Sequence, residues 1–305
     1  MKAEENKTVL VIGATGKTGM PVVEQAIWAG LKVRAVIRRE DDRSARLQQA
    51  GAETVYGDVH DMKSVRALVA GVDRIYFAYP PHLDRLVEAT ANIAIAAKEA
   101  GVSALVNISQ ITARESARSR LSHHHWLSEF VFDQAEIGAV HLRPGFFAEN
   151  LLLFNAATIA SEGRIYLPYG DRGHAPIAAA DIARVAVELL QRPEAHAGQK
   201  LVLTGPKVFT IHEMANLIGA EVGRPVEYVN LPAEQWRDIL VDQAGLPEFL
   251  AEHLYNVAQD HQDGIFDEQT DMVEKVTGVA PQPLADFVRE NLAKFKGQEA
   301  VFPGV

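Results

Sequence analysis

The sequence predicts an α/β fold of the doubly wound kind, a parallel sheet with helices on both faces and a smaller, mostly helical C-terminal part. Three observations carry this. Short apolar runs rich in β-branched residues recur between helical patterns from Val9 to Arg143. Their alternation with helices is unbroken, which requires parallel pairing and right-handed crossovers. Three glycines, Gly13, Gly16 and Gly19, stand where the first run gives way to the first helix.

Bulk properties remove several classes of function. The 305 residues carry 30 basic and 40 acidic side chains, a formal net charge of −10, without a dense basic stripe. Direct binding of nucleic acid is therefore not expected. The absence of cysteine excludes disulfides, thiolate catalysis and cysteine metal sites. No apolar run reaches the roughly 18 residues of a membrane span. The polar start MKAEENK has no signal-peptide character, so a cytoplasmic protein is expected.

In chain order, Val9–Ile12 reads as a strand buried on both faces, followed by Gly13-Ala14-Thr15-Gly16-Lys17-Thr18-Gly19 and a helix through Met20, Val23, Ala26 and Ile27. A strand, glycine turn and helix present backbone N–H groups to a pyrophosphate. Gly13 suits the tight turn, Gly16 the approach of a phosphate, and Gly19 the packing of helix on strand. Gly16-Lys17-Thr18 resembles the end of a triphosphate-binding P-loop, but Val11 occupies the place of its first glycine. Lys32–Ile37 is the second strand, and Arg38 stands where an NAD-binding chain places an acid. A guanidinium there favours a 2′-phosphate, hence NADP(H) over NAD(H), and Lys17 is a second positive charge for it. A third strand ends at Gly57, which sets Asp58 and Val59 at the adenine position.

A fourth strand, Asp73–Ala78, places Ala78, Tyr79 and Pro80 at the ligand-binding edge. A helix over Leu83–Ala100 follows, then a fifth strand, Ala104–Ser109, bringing Ser109 beside the expected nicotinamide. Gln110–Arg120 reads as a flexible loop. His123, His124 and His125 are adjacent on the next helix and cannot converge on one ion, so no metal is expected. His125 and Glu129 share a helix face. The sixth strand, Val140–Arg143, leads to Pro144, Gly145, Phe146 and Phe147, whose two rings offer a wall for a flat ligand.

With these residues assembled, the chain resembles the NmrA-like group of atypical short-chain dehydrogenases/reductases, through GATGKTG, Arg38, Gly57-Asp58, Asn107-Ile108-Ser109, His125-x-x-x-Glu129 and LRPGFFAEN. The resemblance reaches Asn291 and is nearest to NADPH-dependent quinone and triphenylmethane-dye reductases. It implies a Rossmann-type domain and a C-terminal substrate domain. The Tyr-x-x-x-Lys pair of catalytic short-chain dehydrogenases is absent; its places fall at Leu121 and His125. Tyrosine-acid chemistry is therefore not expected. Hydride transfer to a quinone, azo compound or cationic dye is; a cation needs no proton, and a quinone can take one from water or from His125. The missing pair also motivates an alternative reading, a cofactor-sensing regulator that captures a partner protein without turnover.

Beyond residue 155 the domain pattern changes. Residues 1–155 are expected to form the dinucleotide-binding domain, completed by about 178–204, with 156–177 and 205–305 forming the substrate domain. A helix over Asp181–Gln191 is expected to pack back on the sheet and a strand at Lys200–Leu203 to join it as the seventh; from Gly205 the pattern changes, with a capping box of Thr210 and Glu213 opening a helix. Helices are expected over Ala233–Leu240, Pro247–Asp260 and Pro283–Lys294. Trp236, Phe249, Leu250, Leu254 and Tyr255 are candidates to line the acceptor pocket. The partners expected are a flat, conjugated small molecule and either a second copy or a regulatory protein.

Overall fold

The computed structural model describes residues 7–81 and 85–301. Its first half runs β1 (Thr8–Ile12), α1 (Gly19–Trp28), β2 (Lys32–Ile37), α2 (Asp42–Gln49), β3 (Glu53–Tyr56), α3 (Met62–Val69), β4 (Arg74–Phe77), α4 (Leu86–Ala100), β5 (Ala104–Ile108), α5 (Arg120–Ala135) and β6 (Ala139–Pro144). The expected start of the α4 helix, Leu83 and Asp84, lies outside the described residues. With β9 (Lys200–Leu203) these strands form a seven-stranded parallel sheet in the order β3-β2-β1-β4-β5-β6-β9. The order reverses between β1 and β4, the switch point at whose carboxyl ends open parallel sheets bind ligands. This is a Rossmann-like α/β fold.

Strand alternation sorts the core onto two faces. Val9 and Val11 pack with α1 and with α7 (Ala179–Gln191); Leu10 and Ile12 pack with α3, α4 and α5. Val9, Leu10 and Val11 have no exposed surface, which stabilises the fold by about 1.5–3 kcal/mol per side chain.

After β6 the chain runs α6 (Glu149–Glu162), β7 (Arg164–Leu167), β8 (Gly173–His174), α7 and β9. It continues through β10 (Phe209–Thr210), α8 (Ile211–Val222), β11 (Glu227–Asn230), α9 (Ala233–Asp242), α10 (Glu248–Gln262), α11 (Met272–Thr277), α12 (Leu284–Glu290) and α13 (Leu292–Phe295). A separate apolar core joins α6, α8, α9, α10, α12 and α13. The Thr210–Glu213 capping box forms at the start of α8.

Several elements differ from the sequence expectation: β7, β8, β10, α11 and α6 are unannounced, and one expected helix is split. Helix α6 is unannounced, because Leu151-Leu152-Leu153-Phe154 is a continuous apolar run that periodicity cannot tell from a strand. The expected helix over Pro283–Lys294 is broken at Asn291, whose side-chain amide donates to the Phe287 carbonyl and competes with the helical ladder.

Candidate active site

The glycine turn is shaped by close backbone approach. Gly13 has φ +77°, and a Cβ on it would lie 2.3 Å from the Ala78 carbonyl oxygen. A Cβ on Gly19 would lie 2.1 Å from the Gly13 carbonyl oxygen, so both positions require glycine for packing alone. Gly16 differs: a Cβ there meets only the Gly13 oxygen at 3.1 Å, leaving its outer side open. Ala14 and Thr18 are buried, while Thr15, Gly16 and Lys17 are partly exposed. Helix α1 begins without a side-chain cap and without an acid in its first turn. Its amino end thus fits the phosphates of a dinucleotide.

Arg38 is exposed at the end of β2 and makes no ion pair among the described residues. Its neighbour Arg39 is held by Asp41 at 3.4 Å, so the two arginines are not equivalent. Asp58 is exposed and closes a local turn, its carboxylate accepting from the His60 N–H at 2.9 Å. Val59 is partly buried, and its carbonyl accepts from the Asn92 amide at 3.1 Å. Ala78 forms the wall against Gly13. Tyr79 is buried, its hydroxyl 3.1 Å from His60 Nε2, and Pro80 follows it at the rim.

At the other end of the crevice, Ser109 Oγ donates to Glu129 Oε1 at 2.6 Å. Glu129 is fully buried and bonded by the Arg143 guanidinium at 2.8 and 2.6 Å, with Lys200 3.7 Å away. Glu129 is therefore anchored by Arg143 and accepts the hydrogen bond that the Ser109 hydroxyl donates. His125 does not pair with it. The ring is buried, its Nδ1 lacks a partner, and burial together with His253 and His124 lowers its pKa to about 3. The imidazolium expected of a proton source is absent at neutral pH.

The two phenylalanines separate. Phe146 is 2 % exposed and packs edge-on against Tyr169, His174 and His261 inside the second core, so it is not part of a ligand wall. Phe147 is partly exposed and lies under the Lys17 ammonium, 5.5 Å from ring centroid to Nζ. Lys17 thus turns toward the segment after β6, its Nζ donating to Asn150 Oδ1. Pro144 is buried at the end of β6.

The Gln110–Arg120 segment is not loose. Arg114 bonds the fully buried Asp260 of α10 at 2.5 Å, and Arg118 reaches Asp260 at 3.2 Å and Asp263 at 2.5 Å. Ser119 Oγ lies 2.7 Å from His253 Nδ1. Of the candidate pocket residues, Trp236 and Leu250 are core, and Leu254 and Tyr255 pack against the same core. Phe249 instead reaches the core beneath α4 and α5. The acidic residues Asp260 and Asp263 gave no local sign of their role; only the fold brings them to Arg114 and Arg118.

The chain matches the NmrA-like family over residues 5–290. It belongs to that family. An NAD(P)H azoreductase of Xenophilus azovorans is 33% identical over 293 residues, 94% of this chain and 99% of that protein. Quinone oxidoreductase 2 of Escherichia coli is 25% identical over 284 residues, 92% of this chain and 97% of that one. The crystal structure of Citrobacter sp. triphenylmethane reductase complexed with NADP(H) superposes with a TM-score of 0.80, 25% identity, and coverage of 93% and 99%. Relatives of this NmrA-like chain are thus named as oxidoreductases. No helix among its described residues is long and apolar enough to cross a membrane.

Proposed function

We propose that this NmrA-like protein is an NADPH-dependent reductase acting on flat, conjugated acceptors such as quinones, azo compounds or cationic dyes. The observation that carries the reading is the glycine turn, packed tightly at Gly13 and Gly19 and open on its outer side at Gly16, with Phe147 beneath the Lys17 side chain of the same turn. The Gly13–Gly19 turn would hold the diphosphate and Arg38 the 2′-phosphate. Asp58, Val59, Ala78, Tyr79 and Pro80 would flank the adenylate half, and Ser109, Pro144 and Phe147 the nicotinamide half. The bound dinucleotide supplies a hydride from its reduced ring.

The surrounding side chains bind and orient without supplying a strong acid. Ser109 is committed as donor to Glu129, and His125 is a neutral imidazole at physiological pH. A neutral imidazole can orient a carbonyl by hydrogen bonding without transferring charge. Such a site suits acceptors that need no protein acid. A cationic dye takes hydride alone, while a quinone or azo compound takes hydride and then a proton from water.

The test is NADPH oxidation against a panel of quinones, azo dyes and triphenylmethane dyes. Turnover with at least one class is expected. Saturable NADPH binding with no turnover on any of them would defeat the reductase reading and favour the cofactor-sensing one, for which capture of a protein partner must depend on cofactor.

A further inference from the structure

Helix α10 brings a second imidazole to His125. His253 Nδ1 lies 2.7 Å from Ser119 Oγ, and its ring is near enough to His125 to disfavour a charge there. Seven residues on, along the same face of α10, Asp260 is held by Arg114 and Arg118. The tie that fixes the segment before α5 therefore fixes His253 as well.

The tautomer of His253 follows from its partner. Ser119 is buried and caps α5, its oxygen accepting from the Ser122 N–H at 3.4 Å. Among the described residues the one acceptor bonded to the Ser119 hydroxyl is His253 Nδ1, so the hydroxyl donates there. The ring proton then sits on Nε2. Burial lowers the His253 pKa to about 4, which keeps the ring neutral at physiological pH. Its Nε2–H has no protein partner among the described residues, yet it is not sealed off, since the ring is partly exposed. A donor in so desolvated a place gains free energy from an incoming lone pair.

Quinones and azo compounds carry such lone pairs at the reacting end, on the carbonyl oxygen and the azo nitrogen. The central carbon of a triarylmethyl cation carries none. We propose that His253 Nε2–H donates to that oxygen or nitrogen, so that the site selects quinones and azo compounds over triarylmethyl cations. This rests on the reductase reading above and names the acceptor class within it. Hydride arriving on a quinone leaves an electron pair on oxygen, and a donor already in place stabilises it. The proton that completes the hydroquinone comes from water, and His253 keeps its own. A triarylmethyl cation loses its charge on taking hydride, which leaves the donor nothing to hold.

The test measures kcat/KM with NADPH for one uncharged quinone, one azo dye and one triphenylmethane cation, together with the NADPH dissociation constant. His253→Phe keeps a flat ring and removes the donor, whereas His253→Gln keeps an N–H near the Nε2 position. In His253→Phe the quinone-to-cation ratio of kcat/KM is expected to fall about tenfold, the loss of one hydrogen bond, with NADPH affinity within about twofold of the parent. His253→Gln should bring that ratio back to within about threefold of the parent. An unchanged ratio in His253→Phe, or a Gln variant no better than the Phe variant, overturns the donor. Should His253→Phe fail to fold, His253→Leu is read by the same criteria. A parent that neither binds nor reduces quinone or azo dye also overturns the donor, while the reductase reading then stands on the cation. A parent that binds these acceptors without reducing any of the three overturns the reductase reading instead. The donor is then judged by titrating the quinone into the NADP+-saturated parent and variants, where the same tenfold loss is expected and equal affinities overturn it.

Discussion

The two ends of the crevice are built in opposite ways. At the end proposed for the adenylate, Arg38 and Asp58 are exposed, and Asp58 makes its contacts with residues near it in sequence. At the end proposed for the nicotinamide, Ser109, His125 and Glu129 are buried; Glu129 accepts from Ser109 and pairs with Arg143 of β6 and Lys200 of β9, while His253 of α10 acts on His125. One end is a loosely furnished rim; the other is a desolvated network in which each group's charge state depends on distant neighbours. The difference teaches that the first end can recognise a ligand by adding charge, whereas the second works with groups already neutral or neutralised. Mutations and acid should therefore strike the two ends unequally.

The largest contrast lies within the glycine turn that joins the ends. Gly13→Ala forces a side chain into positive φ and within 2.3 Å of the Ala78 oxygen. A loss of about 3 kcal/mol or more in urea unfolding is expected. Gly16→Ala should cost less than about 1 kcal/mol of stability yet weaken NADPH binding, because its outer side is open. Equal destabilisation by both would erase the distinction between packing glycine and ligand glycine.

Next in size is the tie between α10 and the segment over the nicotinamide end. Asp260→Ala leaves Arg114 and Arg118 without their buried partner. About 2–3 kcal/mol of stability should be lost, discounted for the partial exposure of the arginines. The affinity for 2′,5′-ADP should hardly move. A variant as stable as the parent would show the tie to be incidental.

At the adenylate end, Arg38→Ala should weaken NADPH by about tenfold relative to NADH, measured as the ratio of dissociation constants. Equal losses for both cofactors would remove Arg38 from the 2′-phosphate.

Most gradual, because it is spread over several pH units, is the response to acid. The folded pKa is about 3 for His125 and about 4 for His174 and His253, while His261 lies well below 6.5, burial being the leading cause for all four. Below pH 6.5 the unfolded chain binds protons that the folded chain refuses, so stability falls as pH drops from 6.5 toward 4 and then 3. Melting temperatures across this range should decline, with proton uptake on unfolding. A flat profile would mean that these rings are solvated. Above pH 6.5 all four are neutral in both states, and they add no slope.

Much of the fold was legible because its signals are local. The strand at Val9–Ile12, the turn glycines and the Thr210–Glu213 box each rest on residues close in sequence. The helix after Phe147 was not legible, since an apolar run buried on several sides has no periodicity to read. For the site, Arg38 could be placed by counting from the glycines. Phe146 and Phe147 could not be told apart, because which ring enters the second core depends on helices that arrive more than a hundred residues later. Gln110–Arg120 looked loose for the same reason: the acids that tie it down lie on α10.

By itself the sequence determined a parallel sheet, a phosphate-ready turn and a basic residue at the end of β2, since β-branched runs, glycine geometry and spacing act over short distances. Only the tertiary structure decided that His125 is uncharged, that Glu129 belongs to Arg143, and that Lys17 faces Asn150. Desolvation and pairing are set by whatever packs around a group, and no stretch of chain carries that information alone.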